Sequence, residues 1–271
     1  MKAKVSSAVL GVMAATLLPA VVLQAASSGT ALGVGQVTVA AVAAVTVAGH
    51  AGEARQARPA APAYTAPKRQ LRYGSRGSDV KSLQRRLAAL KYYPGAVNGQ
   101  FGAYTLEAVW AFQEVQGLKV NGVVGPATAR ALRHPRAYLA RYARGHPMRV
   151  EVNLRARVLV VYRAHVVALI SHISAGGGYV YGRGARAVTP AGHFHTTAYL
   201  RGWVRVPLGT MYNPVFFIGT AYAIHGEPTY GPNGGGVPLY PVSHGCVRIP
   251  YDIARFFHTL VKTHGTPVYI Y

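Results

Sequence analysis

The chain has 271 residues, room for one or two modest domains, with 29 Lys and Arg against seven Asp and Glu and a formal net charge of +22. The seven acids (Glu53, Asp79, Glu107, Glu114, Glu151, Glu227 and Asp252) are scattered, which argues against a paired-carboxylate site of the glycosidase kind. The positive balance suits polyanions, but the basic residues are mostly spread singly. No zinc-finger, RNA-recognition or basic-zipper pattern accompanies them, so nucleic acid is not the expected partner.

Lys2 and Lys4 precede an uncharged, apolar and small-residue run over residues 5–26. That order is the form of a secretory signal or membrane anchor. A second, weaker run spans residues 31–48. Residues 1–52 are therefore expected to be an export signal or anchor, with cleavage and retention both open, and any membrane contact is expected there alone. The protein is expected at the cell wall or the outer face of the membrane. An exported basic protein meets an anionic envelope, although charge of this sign also serves solubility alone. Residues 53–70, with Pro59, Pro62 and Pro67, read as an extended linker.

Residues 71–134 read as a compact module. Val80, Leu83, Leu87 and Leu90 recur at three- and four-residue steps and predict a helix over 79–90. Leu106, Val109, Trp110 and Phe112 supply the buried face of a second helix over 105–116. Residues 97–109 repeat 23 positions on as residues 120–132, both copies reading V-N-G-x-[FV]-G-x-x-T-x-x-A-[VL]. Asn-Gly provides a turn with positive φ, the second glycine closes a loop, and Thr105 or Thr128 is expected at or near a helix start. Two such units against the first helix make an all-α three-helix module. With Gly74, Gly77, Leu83-Gln84 and Phe112-Gln113, this repeat resembles the peptidoglycan-binding domain of bacterial wall hydrolases and transpeptidases. The resemblance implies binding of the wall glycan and its peptides.

Residues 135–147 are a basic link, and from Arg149 the period changes. Strands are predicted over 150–154, 158–162, 166–173, 192–199, 203–206, 214–218, 222–225 and 267–271. One late helix is predicted over 252–262, with Ile253, Phe256, Phe257 and Leu260 on one side. Short strands with a single helix indicate a β-rich sandwich over residues 148–271.

Cys246 lies in Ser243-His244-Gly245-Cys246-Val247-Arg248, with His225-Gly226 upstream. A thiol with nothing in the chain to pair with, a histidine two residues before it and an arginine two after it is a candidate nucleophile. The run, and the 17 residues (226–242) between His225 and Ser243, resemble the L,D-transpeptidase signature. The resemblance implies that Cys246 attacks a peptide carbonyl and His225 takes or shares the thiol proton. It also implies that the Gly226 carbonyl orients the imidazole. The backbone N–H groups of His244, Gly245 and Cys246 would form the oxyanion hole. Arg248 would hold a substrate carboxylate or buttress the loop, Ser243 would brace it, and His244 would tune the thiolate, touch substrate or serve structure.

The implied reaction is an exported acyl transfer that makes 3→3 cross-links on peptidoglycan tetrapeptide stems, with anionic wall polymers as further partners. Transfer to water would make it an L,D-carboxypeptidase, and loss of activity a non-catalytic wall-binding protein. No metal or organic cofactor is expected. Tyr212 and Phe216, beside an expected Asn213-Pro214 turn, are candidates for the cleft or the core. The glycine-rich spacer 227–242 is expected to be a mobile substrate-side loop, and Gly176-Gly177-Gly178 with Tyr179 and Tyr181 a loop of unassigned role. His193-x-His195 places two imidazoles on one strand face. With no acid at a convincing spacing it reads as a structural pair rather than a metal site.

Overall fold

The computed structural model describes residues 64–226 and 236–271, all within one compact unit. The expected export segment, the first part of the 53–70 linker and the glycine-rich stretch 227–235 lie outside the described residues. Among the described residues no helix is long and apolar enough to cross a membrane. Three helices come first: α1 (Ser78–Ala89), α2 (Ala103–Gln116) and α3 (Pro126–Arg133). The strands β1 (Arg149–Asn153), β2 (Val158–Arg163), β3 (Val166–His172), β4 (Val180–Tyr181), β5 (Ala185–Arg186) and β6 (Gly192–His195) follow. Next are β7 (Ala198–Tyr199), β8 (Trp203–Val206), β9 (Gly209–Ile218), β10 (Tyr222–Gly226) and β11 (Val247–Ile249). Helix α4 (Tyr251–Leu260) and strand β12 (Pro267–Ile270) end the chain.

The repeat is built around two buried glutamines. Gln84 of α1 donates to Asn98 Oδ1, Gln100 O and Thr105 Oγ1, and its Oε1 accepts from Gly99 N at 2.9 Å. Gln113 of α2 does the same for the second copy, donating to Asn121 Oδ1, Val123 O and Thr128 Oγ1 and accepting from Asn121 N and Gly122 N. Each turn thus has its polar groups satisfied by an amide from the preceding helix, which a buried loop requires. The repeat threonines are not N-caps: Gly102 and Gly125 hold those positions without side-chain cap bonds. Thr105 and Thr128 instead donate to Pro94 O and Val123 O, so their hydroxyls close the cage.

Two five-stranded sheets stack, one in the order β3-β2-β1-β12-β6 and the other β11-β10-β9-β7 with β8 on β9. Val150, Val152, Leu159, Val161, Val268 and Ile270 of the first pack against Val215, Phe217, Ile224, Val247 and Ile249 of the second, with Ile253 and Phe257 of α4. The opposite face of the first sheet is also buried. Val158, Val160, Tyr162 and Ile170 join the cluster formed by Leu83, Leu87, Val109 and Phe112 of the helices. That is why 158–162 reads as a continuous apolar run rather than an alternation. The link 135–147 is ordered as well: Tyr138 and Tyr271 share a hydroxyl hydrogen bond of 2.9 Å, and Tyr142 packs on Tyr269.

Two expectations are corrected. The strand predicted over 192–199 is two strands in different sheets, β6 beside β12 and β7 beside β9. Thr196 and Thr197 make the crossing, bonding to Lys262 O and Thr266 on one side and to Gly219 O and Phe216 O on the other. Asn213-Pro214 is not a turn but lies inside β9. Asn213 takes a φ of 46° there, accepts from Gly202 N and donates to Ala254 O. An asparagine tolerates that conformation because its amide satisfies neighbouring backbone.

The cages give the first test. Gln113→Leu leaves two backbone N–H groups, that of Gly122 buried, and three acceptors without this partner. It is expected to cost roughly 3 kcal/mol and to lower the melting temperature by about 6–12 °C. Thermal unfolding followed by circular dichroism checks it, and an unchanged melt would show that the amide is not what holds the turn.

Candidate active site

Strands β10 and β11 are parallel, with Ile224 opposite Val247 and His225 opposite Arg248. Side chains alternate along a strand, so Ile224, Val247 and Ile249 enter the core between the sheets while His225 and Arg248 face outward together. One step back, the same register sets Cys246 beside Ala223, on the face of His225 and Arg248. Cys246 packs there over Met211, Phe216 and Ala223. Cys246, His225, Arg248 and Met211 line an open cleft of about 320 Å³, with Ser243, His244, Tyr181 and the turn between β8 and β9 forming further walls.

His225 is 4% exposed, and its Nδ1 lies 3.0 Å from the Gly226 carbonyl oxygen. A carbonyl only accepts, so Nδ1 carries the proton and Nε2 is left as the basic nitrogen. Burial pushes the imidazole down to about 4, against the pull of the Gly226 carbonyl and with the help of the Arg248 charge. The ring is therefore neutral at physiological pH. Burial likewise pushes the Cys246 thiol up, opposed by the Ala223 N–H and by Arg248. The sulfur lies 3.9 Å from Ala221 O, an acceptor for a protonated thiol. Both shifts disfavour charge, which favours thiol and neutral imidazole over thiolate and imidazolium.

The loop before Cys246 is fixed by several partners. Ser243 Oγ donates to Cys246 O at 2.6 Å and accepts from Gly245 N at 3.0 Å. That engages the Gly245 N–H within the loop, so of the three donors expected for an oxyanion hole this one is already used. Gly245 has a φ of 141° and packs against Val188 O and the Tyr222 ring, leaving no room for a Cβ. His244 is flanked edge-to-face by Tyr181 and Tyr179 at ring separations of 4.6 and 5.5 Å.

Other sequence candidates fall elsewhere. Tyr212 is not among the cleft-lining residues; it packs on Tyr251 and Trp203. The alternation along β9 turns its neighbour Met211 into the cleft instead. Phe216 is buried beneath the site. His193 lies on β6, bonded to the Tyr142 hydroxyl and packed edge-on against Tyr269. Two contributors escaped the sequence reading. Thr189 Oγ1 donates to Gly245 O and accepts from Gly176 N, and the hairpin of β4 and β5 carries Tyr181 to His244. Thr189 opens a Thr-Pro-Ala-Gly run leading into β6 whose partners lie far along the chain, and nothing local marks the hairpin.

Residues 147–270 match the model of the L,D-transpeptidase catalytic domain, and residues 76–132 match that of a putative peptidoglycan-binding domain. A solved L,D-transpeptidase from Xylanimonas cellulosilytica is 34% identical, with a TM-score of 0.67 over 79% of this chain and 100% of that one. The chain belongs to the L,D-transpeptidase family, and its helical module is a peptidoglycan-binding domain by family match. Shorter likenesses are to the N-acetylmuramoyl-L-alanine amidase CwlM of Mycobacterium tuberculosis, 45% identical over 56 residues, and to the zinc D-Ala-D-Ala carboxypeptidase of Streptomyces albus G, 47% over 60. The matches cover 21% and 20% of this chain, and 14% and 22% of those proteins.

The protonation states are open to measurement. With its thiol held above the ordinary value, Cys246 is expected to react with iodoacetamide more slowly than free cysteine at pH 7. Its rate should keep rising past the free-cysteine midpoint of roughly 8.5. A midpoint below that of free cysteine would show a resting thiolate instead.

Proposed function

We propose that this protein is an exported cell-wall enzyme that joins peptidoglycan stem peptides through a Cys246 acyl-enzyme, forming 3→3 cross-links on tetrapeptide stems. The observation that carries this reading is the shared face of Cys246, His225 and Arg248, with the imidazole held by the Gly226 carbonyl at 3.0 Å above an open cleft. A buried base and a partly buried thiol on one face, both with charge disfavoured by burial, suit general-base attack, in which charge appears only as the bond forms.

In that sequence His225 Nε2 takes the thiol proton while Cys246 Sγ bonds to the carbonyl carbon of the third stem residue. The oxyanion is received by the N–H groups of Cys246 and His244, each such donor being typically worth roughly 3 kcal/mol. The Arg248 charge favours the anion forming at sulfur and resists a cation at His225, which keeps the base free. Collapse breaks the bond to the terminal D-alanine, whose amine leaves with the proton from His225, and a thioester remains. The side-chain amine of a neighbouring stem then attacks the thioester, His225 takes a proton from it, and the thiol is regenerated. The atoms balance without a metal, a nucleotide or an organic cofactor. The peptidoglycan-binding module would hold the enzyme on its polymeric substrate, and the basic surface would favour anionic wall polymers.

The test is intact mass of the protein after incubation with a tetrapeptide-stem disaccharide and with a carbapenem, beside Cys246→Ala. The expected result is an acyl adduct on the wild type alone, release of D-alanine and a cross-linked dimer. Free tripeptide without dimer would assign a carboxypeptidase. No adduct on folded, reduced protein would leave a wall-binding protein without this chemistry.

A further inference from the structure

Helix α2 belongs to the peptidoglycan-binding module, yet two of its acids reach into the chain that leads to the catalytic cysteine. Glu107 is 3% exposed, and its Oε1 accepts the backbone N–H of Val237 at 2.7 Å. Gly236, just before, lies so close to that carboxyl that a Cβ there would strike it. Two turns along α2, the Glu114 carboxylate lies 3.1 Å from His172 Nδ1 and accepts from Arg157 Nε at 3.2 Å. The other edge of the same ring brings Nε2 to 3.2 Å from Pro238 O, and Trp110 of α2 lies edge-on to it. Consecutive residues of the segment entering the active site are thus gripped from the module, directly at Val237 and through His172 at Pro238.

Further anchors hold the chain between there and the nucleophile. Ser174 Oγ donates to Tyr240 O at 2.8 Å, and Ala175 O accepts from both Val242 N and Ser243 N. Ser243 then holds Gly245 N and Cys246 O. Nothing in the repeat requires an acid at 107: the equivalent position of the second copy is Arg130, which is exposed. Burial pushes the Glu107 carboxyl up to about 8, so near neutrality it accepts the Val237 N–H as a neutral acid that glutamine can imitate.

We propose that Glu107, together with the Glu114–His172 pair, is a positioning residue for acyl transfer: through residues 237–243 it sets the oxyanion loop around Cys246. The module that binds the wall is then also a supporting part of the catalytic site. This rests on the acyl-transfer reading above. It differs from a role in stability alone in one respect. Acylation needs the loop donors in place, whereas alkylation of the thiol by a small halide does not.

The test uses the full chain as wild type, Glu107→Ala and Glu107→Gln, with three readouts: the rate of Cys246 acylation by a carbapenem, the rate of alkylation by iodoacetamide, and the melting temperature. Glu107→Ala is expected to lower acylation roughly tenfold or more with alkylation within about twofold of wild type, while Glu107→Gln stays within about threefold on both. If Glu107→Ala does not melt cooperatively, His172→Phe, which keeps a ring against Trp110 and removes both ring nitrogens, is expected to give the same split. Acylation unchanged in the alanine variant, acylation and alkylation falling together, or a glutamine variant as impaired as alanine would each overturn the proposal. A wild type that is alkylated but never acylated would remove the underlying acyl-transfer reading, and is told apart because it appears without any substitution.

Discussion

The parallel pairing of β10 with β11 is the constraint on which the site depends. It puts His225 opposite Arg248 and turns both, with Cys246, away from the core that Ile224, Val247 and Ile249 enter. Adjacent parallel strands cannot be joined by a tight turn; the chain must leave the sheet and come back in the same direction. The long stretch between His225 and Cys246 is therefore demanded by topology before it has any role with substrate. Its returning part needs anchors outside the sheet. It finds them in Ser174 and Ala175 after β3, in the hairpin of β4 and β5, and in helix α2.

Charge follows a related pattern. Every acid among the described residues is engaged within the fold, with Asp79 on Arg69, Glu107 on Val237, Glu114 on His172 and Arg157, Glu151 on Arg149 and Arg141 N, and Asp252 with Tyr104. Glu151 and Arg149 are almost wholly buried, at 2.8 Å, with the guanidinium over the Tyr162 ring. A chain that commits its few carboxylates inside leaves a surface governed by arginine and lysine. The proposed catalytic pair follows the opposite rule: His225 is buried and Cys246 partly buried without a carboxylate beside them, and burial disfavours charge on both. A Ser-His-Asp arrangement supports a charged imidazole, whereas a backbone carbonyl fixes the tautomer and adds no full charge. Arg248 is consistent with that choice because it opposes a cation at the ring.

Much of this was legible in the sequence. Periodicity placed α1, α2 and α4 to within two residues, since each buries a stripe at three- and four-residue spacing. The Cys246 run and His225-Gly226 identified the candidate site because chemistry there depends on residues close in sequence or on adjacent strands. What escaped depends on which face a residue takes or on partners far along the chain. Tyr212 and Met211 are neighbours of similar bulk, and only the register of β9 decides which one meets the cleft. The crossing at Thr196-Thr197 leaves the β-type pattern over 192–199 intact, because strand propensity does not record which sheet a strand joins. Glu107 looked like an ordinary helical acid, and its partner lies 130 residues away.

The repeat gives a measure of what separates packing from function. Both copies keep Asn-Gly, the second glycine, the threonine and the caging glutamine, so the same physical problem, a buried turn before a helix, is solved twice in the same way. Where the copies differ, their surroundings differ. The first faces the catalytic domain and carries Glu107 inward to Val237. The second carries Arg130 outward, to a groove with Lys68, Gln70 and Arg133. Packing alone asks for neither acid nor base at that helical position, and the divergence follows what each copy meets. A duplicated unit can thus keep one cage to hold its fold and use the freed position in one copy to join its neighbour, leaving the other copy to face outward.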